Sequence, residues 1–200
     1  MSRSCVWKTF LIPLFTIVFL CSCSQKAPDS SDTTNLFQYA VKIENEVFAP
    51  KELAFFTSVE EALQITGLNA EAVSEAGSGK RILSTVNISD FPGDILTIYS
   101  FSDDRLFTVE YVITVDDAES ADVYNMLYEQ AVSTMPVPTG NTIEGIKNGE
   151  EVAWEDKDKT YVRLSFPSTA STDTETIILG IYNTEGNVMT QSIDSEPNVR

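Results

Sequence analysis

Histidine is absent from all 200 residues of the chain. A serine–histidine–acid triad, histidine-based general acid–base chemistry and the usual catalytic zinc sites are therefore excluded. Cysteine is nearly as scarce. Cys5, Cys21 and Cys23 are the three present, and all lie at the N-terminal end. The body beyond them has no disulfide, no thiolate metal site and no cysteine nucleophile. Basic residues are few, 13 against 30 acidic ones, for a net charge of −17. Nucleic-acid binding depends on Lys and Arg against phosphate, so no nucleic-acid partner is expected, and the body should stand off anionic lipid headgroups. Such acidity suits a cationic partner or bound calcium; it also serves simply to keep a protein dispersed. What the composition leaves open is chemistry on carboxylates, as in glycoside hydrolysis, or oxygen-only metal sites.

The N-terminus reads in three parts. Residues 1–8 carry Arg3 and Lys8 and no acid; residues 10–20, FLIPLFTIVFL, form an apolar run; Leu20-Cys21-Ser22-Cys23 comes next. A basic start, an apolar stretch of about ten residues and a small-residue cleavage site are the marks of an export signal. The run is shorter than the roughly 20 apolar residues of a membrane-spanning helix. Its end resembles the lipobox of bacterial lipoproteins, an aliphatic residue, a tolerant position, a small residue and an obligatory cysteine. Cys21 is the poorer acceptor, because Leu20 would fill the small-residue place. The resemblance implies cleavage between Ser22 and Cys23, a diacylglyceryl group on the Cys23 sulfur, and a protein tethered to the cell membrane or outer membrane and facing away from the cytoplasm. Two acyl chains suffice for stable anchoring where one does not. Residues 1–22 are then the signal peptide, 23–35 the lipidated cysteine with its tether, and 36–200 the globular body. The tether, SQKAPDSSDTTN, has no apolar periodicity and spans roughly 20 Å on average and about 40 Å stretched.

In the body, residues 36–43 alternate loosely, with Phe37, Tyr39, Val41 and Ile43 on one side, and predict a short strand. Residues 44–56 are irregular around Pro50. Thr57 and Glu60 have the spacing of a capping box, opening a helix whose face carries Val59, Ala62, Leu63 and Thr66 and which stops at Gly67. A second short helix is expected over 70–76, behind Asn69. Strands are predicted over 81–89, 95–101 and 106–115, the last two joined by a hairpin loop at 102–105. In the third, Phe107, Val109, Tyr111, Ile113 and Val115 fall on one face at period two. Asp116 or Asp117 should cap the longest helix, 118–135, which carries a stripe of Val123, Leu127, Gln130, Ala131 and Thr134. Pro136 and Pro138 end it. A glycine-rich loop leads to a hairpin of 151–155 and 160–166 joined at 156–159. A loop at 167–173, a strong strand at 175–182, a turn at 183–186 and a weak tail strand complete the chain.

Helix followed by three strands is thus spelled twice, over 57–115 and over 117–182. The expected fold class is α+β, two helix-plus-three-strand antiparallel units that form one domain with a shared sheet or two tandem lobes. This order resembles that of small secreted proteins built from tandem helix-plus-sheet repeats, among them the β-lactamase inhibitory proteins and several bacterial lipoproteins. Trp154 on a penultimate hairpin and the Thr160-Tyr161-Val162 strand after it are similar too. The resemblance implies a binding protein and transfers no functional residue.

Candidate sites are sparse. Trp154, the sole tryptophan of the body, could form an aromatic platform for a sugar or peptide with Tyr99, Tyr111 and Tyr161, although strand aromatics more often belong to a core. Glu110 lies opposite the apolar stripe and could be half of a catalytic carboxylate pair, with no partner evident. Asp103-Asp104 and the Glu155, Asp156 and Asp158 group sit at hairpin tips, where polar turn formers are needed in any case. Neither has the pattern of a calcium loop. Gly77-Ser78-Gly79-Lys80 lacks the remaining residues of a phosphate-binding loop. No catalytic residue, metal or cofactor is expected. The reading that fits is a non-enzymatic lipoprotein binding an envelope protein, peptide or cell-wall ligand. A carboxylate enzyme acting on glycans and a structural spacer or assembly factor are the alternatives.

Overall fold

The computed structural model describes residues 35–135, 139–140, 151–166 and 174–184. The expected export signal, Cys23, most of the expected tether, most of the glycine-rich stretch, and residues 167–173 and 185–200 lie outside the described residues.

The fold is α+β and opens with a local correction. Asn35 accepts a hydrogen bond from the Gln38 amide at 2.9 Å and caps a short helix, α1 (Leu36–Ala40), where a strand was expected. Leu36, Phe37 and Ala40 share its buried face, and the Asx cap favours that pattern over the period-two one. The chain then enters β1 (Val41–Glu44) and β2 (Val47–Pro50), a two-stranded hairpin. Its turn residues Asn45 and Glu46 both have positive φ, the geometry that matches strand twist in two-residue hairpins.

Helix α2 (Val59–Thr66) has its capping box one residue later than expected, at Ser58 and Glu61. Thr57 instead donates its hydroxyl to the Ala54 carbonyl at 2.7 Å. Gly67 closes α2 in the left-handed region. Asn69 caps only a single 3-10 turn, Ala70–Ala72, after which Val73 turns extended. Most of the second short helix is therefore strand: β3 (Val73–Ala76) folds back on β4 (Gly79–Val86), and the Gly77-Ser78 pair is their hairpin turn. Next come β5 (Asp94–Ser102), β6 (Arg105–Asp116), α3 (Asp117–Thr134), β7 (Thr139–Gly140), β8 (Glu151–Glu155), β9 (Thr160–Ser165) and β10 (Thr174–Asn183). The β5–β6 turn is tighter than predicted, with Asp103 and Asp104 both at positive φ.

Strands β3 to β10 form one antiparallel sheet in the order β3-β4-β5-β6-β10-β9-β8-β7. The last strand of each half, β6 and β10, meet at its centre, Glu110 opposite Gly180. The alternative of two lobes is thereby replaced by one continuous sheet. One face is covered by α3, which lies across β6 and β10, with α1 beside it and the β1–β2 hairpin over β9 and β10. Ile82, Ile95, Tyr99, Phe101, Val109, Tyr111, Ile113, Val162, Leu164, Ile177 and Leu179 point into that core. From α3 come Val123, Leu127 and Ala131, as the stripe predicts. Thr134 is exposed and Met135 buried in its stead, and Gln130 accepts from the Phe37 amide, tying α3 to α1. Asp116 is the N-cap residue without a side-chain cap bond.

Two irregularities shape the sheet. The β5–β6 register shifts at Ser100/Phe101, so that Phe101 faces Leu106 and Ser100 faces Thr108. Phe107 is the extra residue of a bulge. Leu106 takes the core position assigned to Phe107, which stacks edge-on against the exposed Phe56 at 5.4 Å. At the β8–β9 tip, Asp156 is buried, not solvated. Its Oδ1 accepts from the amides of Asp158 and Thr160, both at 2.8 Å, and its Oδ2 from the Phe48 amide of β2 at 2.7 Å. Lys157 donates to the Asn45 carbonyl at 2.7 Å. One carboxylate thus clamps the N-terminal hairpin onto the main sheet.

Candidate functional site

Helices α1 and α3 and the β1–β2 hairpin lie on one face of the large sheet; the alternate strand positions form its second face. Its side chains come from the alternate positions of each strand. One cross-strand row runs Leu83, Ile98, Glu110, Gly180, Arg163, Ala153; the next runs Thr85, Leu96, Val112, Ile178, Ser165, Glu151. An antiparallel sheet with one solvated face normally places polar side chains there. On β4, β5, β6 and β10 this face is instead aliphatic, with Leu83, Leu96, Ile98, Val112 and Ile178 adjoining. Leu83 is 43% exposed and the other four are partly exposed.

The remaining part of the face is charged and is organised around Gly180. A Cβ on Gly180 would stand 2.1–2.3 Å from atoms of the Tyr182 ring, so glycine is what lets Tyr182 lie back along its own strand. In that position the Tyr182 hydroxyl donates to Glu110 Oε1 at 2.9 Å. The Arg163 guanidinium lies over the ring, 4.7 Å from its centroid, and donates to Glu151 at 2.9 Å. Burial, then the Glu110 charge, push the Tyr182 phenol well above its ordinary range. Glu110 is thus the hydrogen-bonded partner of the Tyr182 phenol.

On the covered face a different constellation forms where α1 and the segment after β2 meet the sheet. Tyr99 on β5 and Tyr111 on β6 are both fully buried. The Tyr99 hydroxyl donates to Glu52 Oε2. Tyr39, on α1, meets the Tyr111 ring edge-on at 6.2 Å. Tyr39 and Glu52 are partly exposed, and the Tyr111 hydroxyl is buried without a hydrogen-bond partner. Burial, followed by the Glu52 charge, pushes the Tyr39 phenol up to about 12 and raises those of Tyr99 and Tyr111 well above their ordinary range.

Comparison with known proteins finds no match: no family model, no curated protein and no solved structure matches the chain.

The four aromatics read as a platform do not share a surface. Trp154 is buried against Phe37, edge-on at 6.2 Å, and beside Tyr128 at 6.4 Å. Its strand turns it inward, between the outward positions Ala153 and Glu155. Tyr161 sits partly exposed on the second face. Tyr99 and Tyr111 are core residues that come together with Glu52, a residue from a stretch with no periodicity to mark it. A cleft of about 400 Å³ opens at the start of α3, lined by Phe91, Gly93, Asp94, Thr114, Val115, Asp116, Glu119 and Thr174. Among the described residues no acids are grouped to hold a metal ion, and no helix is long and apolar enough to cross a membrane.

Proposed function

We propose that this chain is a non-enzymatic, lipid-anchored binding module of the bacterial envelope, and that it engages a basic protein partner through the second sheet face. The lipobox-like Leu20-Cys21-Ser22-Cys23 sequence supports the anchor. The observation that carries the binding surface is the aliphatic group Leu83, Leu96, Ile98, Val112 and Ile178, one exposed and four partly exposed, on the sheet face opposite α1, α3 and the β1–β2 hairpin. Contiguous exposed apolar area rimmed by polar groups marks interaction sites on soluble domains. The rim carries Glu110, Glu151 and Glu155 beside Arg163 and Arg81; that excess of acid, on a chain of net charge −17, favours a cationic partner and disfavours pairing of two copies.

Photo-cross-linking in the native membrane tests this. A photoreactive residue at position 83 or 112 should give one identifiable envelope-protein adduct, and a photoreactive residue at position 132 on α3 should not. The purified partner should then bind the full chain more weakly as salt rises and bind Leu83→Asp more weakly still. Equal adducts from all three positions, no adduct, or self-adducts alone would overturn the assignment. Loss of lipid labelling in Cys23→Ala tests the anchor separately.

A second reading, a glycan-acting carboxylate enzyme, draws support from the cleft that holds Asp94, Asp116 and Glu119. It requires glycan cleavage that Asp94→Asn or Glu119→Gln abolishes without unfolding the chain.

A further inference from the structure

We propose that the open edge of β4, over residues 83–86, takes up an extended peptide segment of the basic partner as an added strand. This deepens the proposed binding surface and rests on that reading for the partner's charge. The edge adjoins the aliphatic group of the second face through Leu83, which is exposed and pairs with Ile98.

The opening follows from the ladders on either side of β4. On one side β5 pairs with β4 from Lys80 to Val86. On the other, β3 pairs only as far as Ile82, opposite Val73. Asn69 caps the 3-10 turn Ala70–Ala72 ahead of Val73, and that turn takes the place of further strand. Residues 83–86 therefore have a strand on one side and none on the other among the described residues. Alternation decides which main-chain groups are left over. The two-residue turn at Gly77-Ser78 joins Ala76 to Gly79, a pair that bonds across such a turn, and every second residue of an antiparallel strand points its N–H and C=O to the same side. Gly79 and Arg81 thus point to β3. Leu83 and Thr85 point the same way, past the end of β3, while Ser84 and Val86 point to β5. Among the described residues no loop or cap backbone group bonds Leu83 or Thr85 instead.

Unpaired N–H and C=O groups on a sheet edge template a further strand, and folded proteins usually blunt such edges with charge, proline or a bulge. β3 is short and carries the exposed Glu75. Leu83-Ser84-Thr85-Val86 has no charge, no proline and no glycine. Strand addition binds peptides at such edges, main-chain bonds giving affinity and alternate side chains specificity. Leu83 and Thr85 are exposed on the second face, so every other side chain of an added strand lies beside them. An apolar residue there extends the group of Leu83, Leu96 and Ile98. Charge sets the ends of the segment. Arg81 lies two residues before Leu83 with the exposed Glu71 on the 3-10 turn nearby in the chain, whereas the Val86 end carries the exposed Asp90 and Asp94. A lysine or arginine of the segment is matched at that acidic end. Four residues of strand span about 13 Å, enough for a short segment, the rest of the partner lying on the face.

The test uses the full chain in detergent, ¹⁵N-labelled and titrated with the capped peptide acetyl-Lys-Val-Thr-Val-Thr-Lys-amide. Bound peptide should slow hydrogen exchange at the Leu83 and Thr85 amides saturably and leave those of Ser84 and Val86, already engaged by β5, as they were. N-methylation of the two central peptide amides keeps the side chains and the charge and removes a donor from each edge; it should weaken binding about tenfold or more. Thr85→Pro deletes an amide that faces away from β5, where proline is tolerated, and should weaken binding likewise, while Thr85→Val should bind as the native chain does. The N-methylated peptide carries the same test on the native chain should the proline variant unfold. Protection spread equally over residues 83–86, equal binding of the N-methylated peptide, or no saturable change would overturn the added strand. So would protection that grows with chain concentration and needs no peptide, which makes a second copy the occupant. A basic envelope protein cross-linked from position 112 without protection of Leu83 and Thr85 removes the edge site and leaves the face; protection without that adduct does the reverse.

Discussion

Gly180→Ala should cost stability in the native background and restore it where Tyr182 has been cut back to alanine. Alanine is ordinarily the better strand residue by roughly 0.5–1 kcal/mol, because glycine loses more backbone freedom on folding. At this position the new Cβ would meet the Tyr182 ring at 2.1–2.3 Å, and the ring must leave. With it goes the hydrogen bond to Glu110, a charged acceptor and so worth about 1.5–3 kcal/mol. The contact with Arg163 goes too, adding about 0.5–1 kcal/mol at a partly exposed site. After the backbone gain, the net loss is roughly 1–3 kcal/mol. In a chain of this size that lowers the thermal midpoint by roughly 3–10 °C. In the Tyr182→Ala background the clash is gone, and the same substitution should gain roughly 0.5–1 kcal/mol. A double-mutant cycle on four proteins, followed by far-UV circular dichroism in heat and urea, reads the sign change directly. Gly180→Ala that is neutral or stabilising with Tyr182 present, or equally harmful in both backgrounds, refutes the argument and with it the account of the charged half of the second face.

Two other expectations rest on buried groups. Asp156→Ala strips the acceptor from three amides, two of them buried, and should cost about 3 kcal/mol or more in urea unfolding; Asp156→Asn, which keeps one acceptor oxygen, should lose less, and the Phe48 amide should exchange faster in both. Stability should also fall at alkaline pH. Tyr39 holds its proton from 10.0 up to about 12 in the folded chain, so its contribution is complete below pH 10 and is lost as pH rises through that interval. Tyr39→Phe should flatten this alkaline decline in a pH series of urea midpoints, and an unchanged slope would show that the phenol is not held by burial and Glu52.

Much of the fold was legible in the amino-acid order. Helix α3 and strands β5, β6, β8, β9 and β10 lie where periodicity puts them, because each has one strongly apolar face and polar turn residues at its ends. The α+β class follows from that alternation. The errors cluster where two local signals compete. Leu36–Ala40 satisfies both a strand and a helix pattern, and the Asn35 side chain decides. Ser58 and Thr57 are equally good caps by type, and Glu61 rather than Glu60 turns back. The bulge at Phe107 cannot be heard in a perfect period-two run, since it arises from pairing with β5.

The candidate sites were less legible, for a physical reason. Composition by itself removed histidine and cysteine chemistry from the residues after Cys23 and set their charge, and a short N-terminal pattern resembles an export signal ending in a lipobox. Those properties belong to residue types and to neighbours along the chain. Whether Trp154 faces in or out, whether β6 pairs with β10, which face of the sheet α1 and α3 cover, and that Glu52 meets Tyr99 depend on contacts between residues 47 or more positions apart. Such contacts depend on register and on which helix reaches which face, and a one-residue slip in register would exchange the two faces of a strand. Local order along the chain therefore decided the elements, and only their packing decided which side chains meet at a surface.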